Sequence, residues 1–359
     1  MEFKFDYDYI EKLTQTNGIS GHEGAVAKLM HDELKDLCDE VLFDNLGSII
    51  FVKKGPENAP KVMISAHLDQ IGFIIADIDD KGFAFIKPIG GWWPAQLMTQ
   101  DVCVTTEDGK EYPGVIGHKP SKELSQKAKI EFDDLFIDFG VKDKEELLGL
   151  GIQVGDPVTP VSAYKPLANP RYVATKAWDN RVGCAIISEL LKNIQGQELP
   201  CTLYLAGTVQ EEVGIRGAKT CAQIINPDVC ISTDIGAYGD TPGCKSFDST
   251  LKLGEGPSIA ILDATAMGNK KFIKLAREVA KKNDIPYQTD VMLGGGTDTG
   301  EMHKAHDGAV PLTVSIATRY GHAHNSVIHL DDLENSVRLF AHLAKELTTE
   351  KVQDLKTFF

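Results

Sequence analysis

The sequence predicts an α/β fold with a largely parallel sheet, interrupted by a small all-β insertion. Helix and strand patterns alternate in the first part of the chain and again after about residue 170, as in a sheet covered by helices. Between them, strand-like runs follow one another through hairpin-type turns. The chain of 359 residues is long enough for one large domain and a smaller one. We therefore expect a discontinuous domain at 1–69 and 167–359, and an inserted β-barrel at 70–166.

The α/β part is predicted from apolar periodicity. Helical periodicity occurs at 22–38, 180–194, 269–283 and 331–348, the last of these closing the chain. Strand-like segments lie at 48–53, 61–66, 201–209, 228–233 and 312–317. The insertion contains the runs GFIIADI, FAFIKPI, DVCVTT, YPGVIG and DPVTPV, with turns DDKG at 79–82 and EDGK at 107–110.

Composition and charge exclude several classes of protein. A hydrophobic fraction of 42% with 25% charged residues is typical of a soluble globular protein. The formal net charge of −15 disfavours binding to nucleic acid or to an anionic membrane surface. No apolar window approaches the roughly 18 residues of a membrane span, and the acidic N-terminus does not resemble a signal peptide. The seven cysteines form no CxxC pair, which favours reduced thiols and a cytoplasmic location.

Acidic residues and histidines follow the predicted strands where they end. They are His67 and Asp69 after 61–66, Glu211 and Glu212 after 201–209, Asp234 after 228–233, His322 after 312–317, and Asp179 at a helix start. Ligands of open α/β sheets bind outside the carboxyl ends of the strands. Each residue alone is more often a structural hydrogen-bonding group, a helix cap or a solvated turn. Together at one sheet edge, the carboxylates would repel each other unless a cation neutralised them.

The set of side chains suits two divalent ions. Imidazole and carboxylate ligands without thiolate favour Zn²⁺ or Co²⁺, and Mn²⁺ is possible. Two ions about 3.5–4 Å apart can share a carboxylate, as in dinuclear hydrolases and aminopeptidases. The five candidate ligands are His67, Asp179, Glu212, Asp234 and His322, which leaves Glu211 as general base. Adjacent side chains of a strand point to opposite sides, so we expect the chain to turn within 210–213 to bring both glutamates to the metals.

Several motifs carry a resemblance to a known family. They are SAHLD at 65–69, KAWDNR at 176–181, VQEEVG at 209–214, the aspartate at 234, GGGTD at 294–298 and RYGH at 319–322. In this order and spacing they resemble the tetrahedral (TET) aminopeptidases, the dinuclear-metal family that includes glutamyl aminopeptidase. GVIGHKPS at 114–121 and GIQVGDPV at 151–158 are similar to segments of that family's barrel. The resemblance covers essentially the whole chain. It implies a zinc-aminopeptidase-like α/β/α catalytic domain with an inserted small β-barrel dimerisation domain.

The resemblance also implies roles for individual residues. Asp179 resembles the carboxylate that bridges the metals, and a cis peptide bond is expected after it. The resemblance implies His67 and Asp234 as ligands of one ion, Glu212 and His322 as ligands of the other, Glu211 as the base, and Asp69 as the catalytic-site carboxylate that orients a ligand imidazole.

Some positions depart from the family pattern or stay open. Gln70 stands where the family usually has Glu, and Gly321 replaces a bulkier residue. His324 adds a second imidazole beside His322 and could contact metal or substrate. Gly295, Thr297 and Asp298 in the loop 294–300 could bind substrate, although a plain flexible turn is the alternative. The family's barrel contacts a neighbouring subunit near His118.

The expected activity is hydrolysis of the N-terminal peptide bond of short peptides. The segment 257–269 resembles the wall of the specificity pocket and is apolar in its strand half, which favours neutral or hydrophobic N-terminal residues. Acidic specificity is the alternative, through Lys245, Lys252 or Arg319. The resemblance implies a dodecamer built from dimers, so a homo-oligomer is expected. Alternatives are another dinuclear amidohydrolase, such as an N-deacylase or a glucanase, or an inactive metal-stabilised assembly protein.

Overall fold

The computed structural model describes residues 2–245, 249–292 and 294–358. Its helices are α1 (Tyr7–Gln15), α2 (Gly24–Leu34), α3 (Ser121–Leu124), α4 (Lys144–Gly149), α5 (Trp178–Asn193), α6 (Arg216–Ile225), α7 (Lys270–Lys282), α8 (Thr299–Met302), α9 (Leu330–Glu346) and α10 (Thr349–Leu355). Its strands are β1 (Glu40–Phe43), β2 (Ile49–Lys53), β3 (Lys61–His67), β4 (Gly72–Ile78), β5 (Ala84–Ile89), β6 (Asp101–Thr105), β7 (Glu111–His118), β8 (Leu135–Asp138), β9 (Pro157–Pro160), β10 (Lys165–Pro166), β11 (Tyr172–Thr175), β12 (Thr202–Thr208), β13 (Val229–Gly236), β14 (Ser258–Leu262), β15 (Gln288–Val291), β16 (Val310–Ala317) and β17 (Ser326–His329).

An eight-stranded mixed sheet forms the centre of the α/β part, in the order β1-β2-β12-β3-β13-β16-β14-β15. The four central strands β12, β3, β13 and β16 are parallel, whereas β2 and β14 pair antiparallel to their inner neighbours. The carboxyl ends of the parallel strands therefore meet at one edge. This confirms the predicted α/β class and the largely parallel centre of the sheet.

Helices cover both faces of this sheet. Along β3, Val62 and Ile64 belong to the core that includes residues of α1, α2, α5, α7 and α9. Met63, between them, belongs to the opposite core, which includes residues of α6 and α8. Because successive side chains alternate between two buried faces, the strand is an uninterrupted apolar run. The α/β/α layering follows from that pattern.

The insertion is a closed barrel in the order β4-β5-β8-β7-β6-β9, with its own apolar core. Both predicted turns are tight, and Gly82 and Gly109 adopt positive φ there, a conformation that glycine adopts without steric cost. The barrel strands lie at 72–160, within the range 70–166 expected for the insertion. The domain boundaries themselves stay a prediction.

The structure contains elements that the apolar patterns did not indicate. They are α1, α3, α4, α6, α8, α10, β1, β8, β10, β11, β15 and β17. Most are short, and β15 has a single apolar residue, Val291, among its four positions, so periodicity carries little signal. Helix α9 does not close the chain, because α10 follows it. Within the described part of the chain, every helix is too short or too polar to cross a membrane.

Candidate active site

His67 is the last residue of β3, at the edge where the parallel strands end. Its Nδ1 lies 3.0 Å from the backbone carbonyl of Asp69, which can only accept a hydrogen bond. That bond places a proton on Nδ1, and Nε2 faces the site, 3.0 Å from Asp179 Oδ1. Such an orientation is typical of a metal-ligating imidazole.

Asp179 lies between two imidazoles. Its Oδ1 is 3.0 Å from His67 Nε2, and its Oδ2 is 3.1 Å from His322 Nε2. The residue lies at the start of α5 with non-helical φ and ψ, and the Asp179–Asn180 peptide bond is cis, as the resemblance implied. The two carboxylate oxygens are thus presented to different histidines, which is the arrangement that a bridging carboxylate requires.

Two groups of potential ligands share Asp179. One group adds His67 and Asp234, the other adds Glu212 and His322, and within each group the ligand atoms lie within 4.8 Å of one another. His67 Nε2 is 3.8 Å from Asp234 Oδ1, and His322 Nε2 is 3.6 Å from Glu212 Oε2. Ligand atoms about 2.0–2.2 Å from a tetrahedral zinc ion lie about 3.4 Å apart. All five predicted ligands are therefore brought together at separations that suit two cations.

An unsatisfied oxygen supports this fit. Oε1 of Glu212 is buried without a hydrogen-bond partner, and such an atom normally carries a cost unless it is paired. A cation beside Glu212 and His322 would supply the partner. The donor set of imidazole and carboxylate is compatible with Zn²⁺, Co²⁺ or Mn²⁺.

The pKa shifts of the clustered side chains favour binding of a cation. Burial raises the pKa of Glu212 to about 8, with the Asp179 charge adding to the effect. Burial also raises the pKa of Asp234 to about 6. Burial opposes ionisation of Asp179 too, but hydrogen bonds with His322 and His67 hold its pKa well below the ordinary value. The His322 pKa rises to about 10 despite burial, because Asp179 bonds to the ring. Protons thus neutralise carboxylates that a cation would otherwise neutralise.

The predicted turn at the glutamate pair is present. Strand β12 ends at Thr208, Gln210 has φ of 58°, and the Gly214 N–H donates to the Glu211 carbonyl. Burial raises the pKa of Glu211 well above its ordinary value, and its Oε2 lies 3.9 Å from His67 Nε2. Glu211 lies outside both ligand groups. A carboxylate with a raised pKa beside the potential metal ligands is suited to general-base chemistry.

Asp69 contacts more of the site than the sequence indicated. Its Oδ1 is 3.4 Å from His67 Nδ1, consistent with the expected contact to the ligand imidazole. Its two oxygens also accept hydrogen bonds from the backbone N–H groups of Glu211 at 3.0 Å and Glu212 at 3.1 Å. Ser20 Oγ donates a third bond at 2.6 Å. One buried carboxylate therefore contacts the imidazole and the backbone of both glutamates.

The barrel also contributes to the site, which sequence reasoning missed. The backbone carbonyl of Gly91 accepts a hydrogen bond from His322 Nδ1 at 2.7 Å. Gln96 Nε2 donates to the carbonyl of His322 at 2.7 Å. These contacts orient the ring so that Nε2 faces Asp179. The contacting residues are more than 200 positions away from His322 in the sequence, so no local pattern could have indicated them.

A cavity of about 300 Å³ opens beside these groups. His67, Asp179, Glu211, Asp234 and His322 lie on one side of it. The remaining wall includes Ile235, Tyr238, Met292, Gly295 and Thr318. Among the described residues that line it there is no lysine or arginine.

Three of the predicted substrate-binding residues lie away from the cavity lining. Thr297 Oγ1 donates to Asp263 Oδ2 at 2.8 Å, and Asp298 Oδ2 accepts from Thr208 Oγ1 at 2.7 Å. Both side chains therefore bond to neighbouring elements of the fold and stabilise the loop. His324 Nε2 bonds to the carbonyl of Asp101 in the barrel at 3.1 Å, and burial lowers its pKa to about 4. Gly295 is the member of the predicted set that lines the cavity.

Known relatives match the chain over nearly its full length. The family model described as M42 glutamyl aminopeptidase matches residues 47–339. A putative aminopeptidase, FrvX, of Escherichia coli is 35% identical over 98% of both chains. A glutamyl aminopeptidase of Lactococcus lactis is 33% identical over 98% of this chain and 99% of its own. A lysyl aminopeptidase of Pyrococcus furiosus is 33% identical over 95% of this chain and 97% of its own.

Solved structures agree with these relatives. A TET aminopeptidase from a marine sediment Thaumarchaeota archaeon has a TM-score of 0.94 and 35% identity, covering 98% of both chains. The dodecamer PhTET1-12s has a TM-score of 0.85 and 32% identity, covering 94% of this chain and 98% of its own. Two groups of potential metal ligands and a full-length match to aminopeptidases occur in one chain. The protein therefore belongs to the M42 glutamyl aminopeptidase family and is an aminopeptidase, a hydrolase that acts on peptide bonds.

Proposed function

We propose that the protein is a dinuclear metal aminopeptidase of short peptides, with Zn²⁺ or Co²⁺ as the preferred ions. The observation that carries the proposal is the Asp179 carboxylate, whose oxygens lie 3.0 and 3.1 Å from the Nε2 atoms of His67 and His322. His67, Asp179 and Asp234 would hold one ion, and Asp179, Glu212 and His322 the other. When bound, the ions polarise the scissile carbonyl and lower the pKa of the attacking water.

Glu211 acts as the general base in this proposal. Its carboxylate takes a proton from the attacking water and delivers it to the leaving amine. Asp69 holds the backbone of Glu211 through the 3.0 Å hydrogen bond to Oδ1, which keeps the base aligned while the proton moves. His67 is fixed through its Nδ1 hydrogen bond, so its ring does not rotate out of the site.

We further propose specificity for neutral or hydrophobic N-terminal residues. Ile235, Tyr238 and Met292 give the cavity wall apolar surface. Arg319, a candidate for binding an acidic side chain, instead donates to both oxygens of Asp240 at 2.9 and 2.6 Å. Lys252 is exposed outside the cavity lining. The relatives are named as glutamyl and as lysyl aminopeptidases, so family membership alone leaves the preference open.

Self-association is part of the proposal. The related PhTET1-12s is a dodecamer, and we propose the same assembly of dimers here. The barrel exposes Val115, Leu148 and Val154 by 42%, 47% and 58%, and such apolar residues are candidates for subunit contacts. A cytoplasmic location stays a prediction from the cysteine pattern.

Metal analysis combined with a substrate panel tests the proposal. Wild type and Glu211→Gln are compared on aminoacyl p-nitroanilides with apolar, acidic and basic residues. We expect the variant to keep about two ions per subunit and to lose turnover by at least about 100-fold, the contribution typical of a general base. A fully active variant would exclude Glu211 as the base, and one ion per subunit would exclude the dinuclear centre.

N-terminal acetylation separates the remaining alternatives. An aminopeptidase should not cleave acetylated peptides, whereas a deacylase or endopeptidase should. Wild type without activity on free or blocked substrates, despite full metal occupancy, would favour the inactive assembly protein. Preferential cleavage of glutamyl or aspartyl substrates would replace the apolar specificity with the acidic alternative.

A further inference from the structure

We infer that Glu23 is a positioning residue for the turn that carries the general base. The inference rests on the proposed function, in which Glu211 is that base. Glu23 immediately precedes α2 and is 4% exposed. Its Oε1 accepts hydrogen bonds from the backbone N–H groups of Gly21 and Gln210, both at 2.9 Å. The second bond joins the N-terminal segment to the residue directly before Glu211.

The turn depends on side chains for its hydrogen bonds. The chain leaves the sheet after Thr208, and Gln210 adopts φ of 58°, which a non-glycine residue holds only when its surroundings enforce it. Three successive N–H groups then bond to carboxylates. Glu23 accepts from Gln210, and Asp69 accepts from Glu211 and Glu212. Two carboxylates thus replace the ladder partners that a strand would have had.

Arg181 anchors the segment that precedes Glu23. The buried Arg181 guanidinium donates to the backbone carbonyls of Leu13, Thr16 and Gly18, and to Leu68 next to the end of β3. These bonds tie the segment that leads to Glu23 to the metal-binding edge of the sheet. The guanidinium also places a positive charge near the buried carboxylates of Glu23 and Asp69.

Glu23 acts through the backbone rather than on the substrate. It does not line the cavity, and it belongs to neither group of potential ligands. Its loss should therefore displace Glu211 while leaving the ligand atoms and the substrate wall in place. A misplacement of about 1 Å in a catalytic group can cost about 100-fold in rate. The expected effect is on kcat and not on KM.

The test compares Glu23→Ala, Glu23→Gln and a matched control, Asp332→Ala. Asp332 is also a buried carboxylate that accepts two backbone N–H groups, from Gly254 and Gly256, both at 2.7 Å. We expect Glu23→Ala to lower kcat by about 10–100-fold, with KM within about twofold and metal content unchanged. Gln keeps the accepting Oε1, so Glu23→Gln should recover kcat to within about threefold of wild type. Asp332→Ala should leave kcat unchanged.

Hydrogen exchange of the same proteins gives a readout that does not need activity. In Glu23→Ala, amide exchange should accelerate about five- to tenfold within 208–215, as expected for a lost hydrogen bond, and in Asp332→Ala only around 254–256. The inference would be overturned if Glu23→Ala left exchange at 208–215 or kcat unchanged. It would also be overturned if the kcat loss of Glu23→Ala followed a loss of metal, or if Asp332→Ala lost kcat equally. If wild type cleaves no aminoacyl substrate, the proposed function fails, and the exchange comparison still decides whether Glu23 holds the turn.

Discussion

Lys176, the first residue of the KAWDNR motif, carries an amine in an unfavourable environment. The residue is 3% exposed. Burial, together with the charge of Arg181, lowers the pKa of Lys176 to about 7 from the ordinary 10.5. Its Nζ donates to Asn17 Oδ1, which is neutral and compensates only part of the desolvation. We therefore expect Lys176→Met to stabilise the fold at neutral pH.

The sign and size of the effect follow from proton linkage. The folded-state pKa is lower than the unfolded one, so between pH 7 and 10.5 the unfolded chain binds more protons and stability rises with pH. At pH 7 the desolvated amine destabilises the fold by about 4 kcal/mol, and at pH 10 by about 1 kcal/mol. Methionine removes this destabilisation but loses a hydrogen bond whose net contribution to stability is about 1 kcal/mol. The variant should gain about 3 kcal/mol at pH 7 and almost nothing at pH 10.

Guanidinium unfolding at about pH 7, 8, 9 and 10 measures this difference. Comparing the variant with wild type at each pH cancels the titration of all other groups that the substitution leaves unchanged. Lys122→Met, at an exposed position of α3, is the matched control and should change stability by less than about 0.5 kcal/mol at every pH. A stability difference that is constant across pH, or a Lys176→Met variant that is less stable than wild type at pH 7, would refute the reasoning.

Two further tests address the metal site. At Gly90 (φ 76°) a Cβ would lie 2.4 Å from Ile71 Cγ2 and 2.9 Å from Glu212 Oε2, whereas at Gly140 (φ 73°) it would meet nothing within 4 Å. Gly90→Ala should therefore lower metal occupancy and turnover by about tenfold or more. Gly140→Ala should cost only the backbone strain of about 1–2 kcal/mol. If metal analysis showed equal occupancy in the two variants, the steric argument would be contradicted. Chelation of the metals at pH 7 should abolish turnover and lower the unfolding midpoint. It should also cause proton uptake in weakly buffered solution, because without cations the Glu212 pKa is about 8. Chelation without proton uptake would contradict the electrostatic description.

The candidate metal ligands could be grouped from the sequence because the carboxyl ends of parallel strands meet at one edge of a sheet. Once the segments before His67, Glu212, Asp234 and His322 are read as parallel strands, their carboxyl ends must meet at one edge. The turn after β12 was predictable for a different reason: adjacent side chains of a strand point to opposite sides, so both glutamates can face one site only if the chain turns.

The supporting contacts could not be predicted in this way. Gly91 reaches His322 only because the barrel returns its loop to the sheet edge, and Glu23 reaches Gln210 across 187 positions. Such contacts join a side chain to a backbone atom, so the backbone partner can be any residue type. Likewise, the sequence does not indicate that the His324 imidazole bonds to the backbone carbonyl of Asp101 in the barrel.

The pKa shift of Glu211 bears directly on its proposed role as the general base. Burial comes first among the causes that raise its pKa, and the negative charges of Asp234, Asp298 and Glu212 add to it. Each divalent ion would oppose those charges at close range, so occupancy should lower the Glu211 pKa towards its ordinary value. The same burial that raises the Glu211 pKa would leave its ionised carboxylate poorly hydrated and able to accept a proton once the ions are bound. We therefore expect adjacent glutamates to suit this edge of the sheet only together with cations, because direct ligation would neutralise Glu212 and the field of the same ions would keep Glu211 ionised.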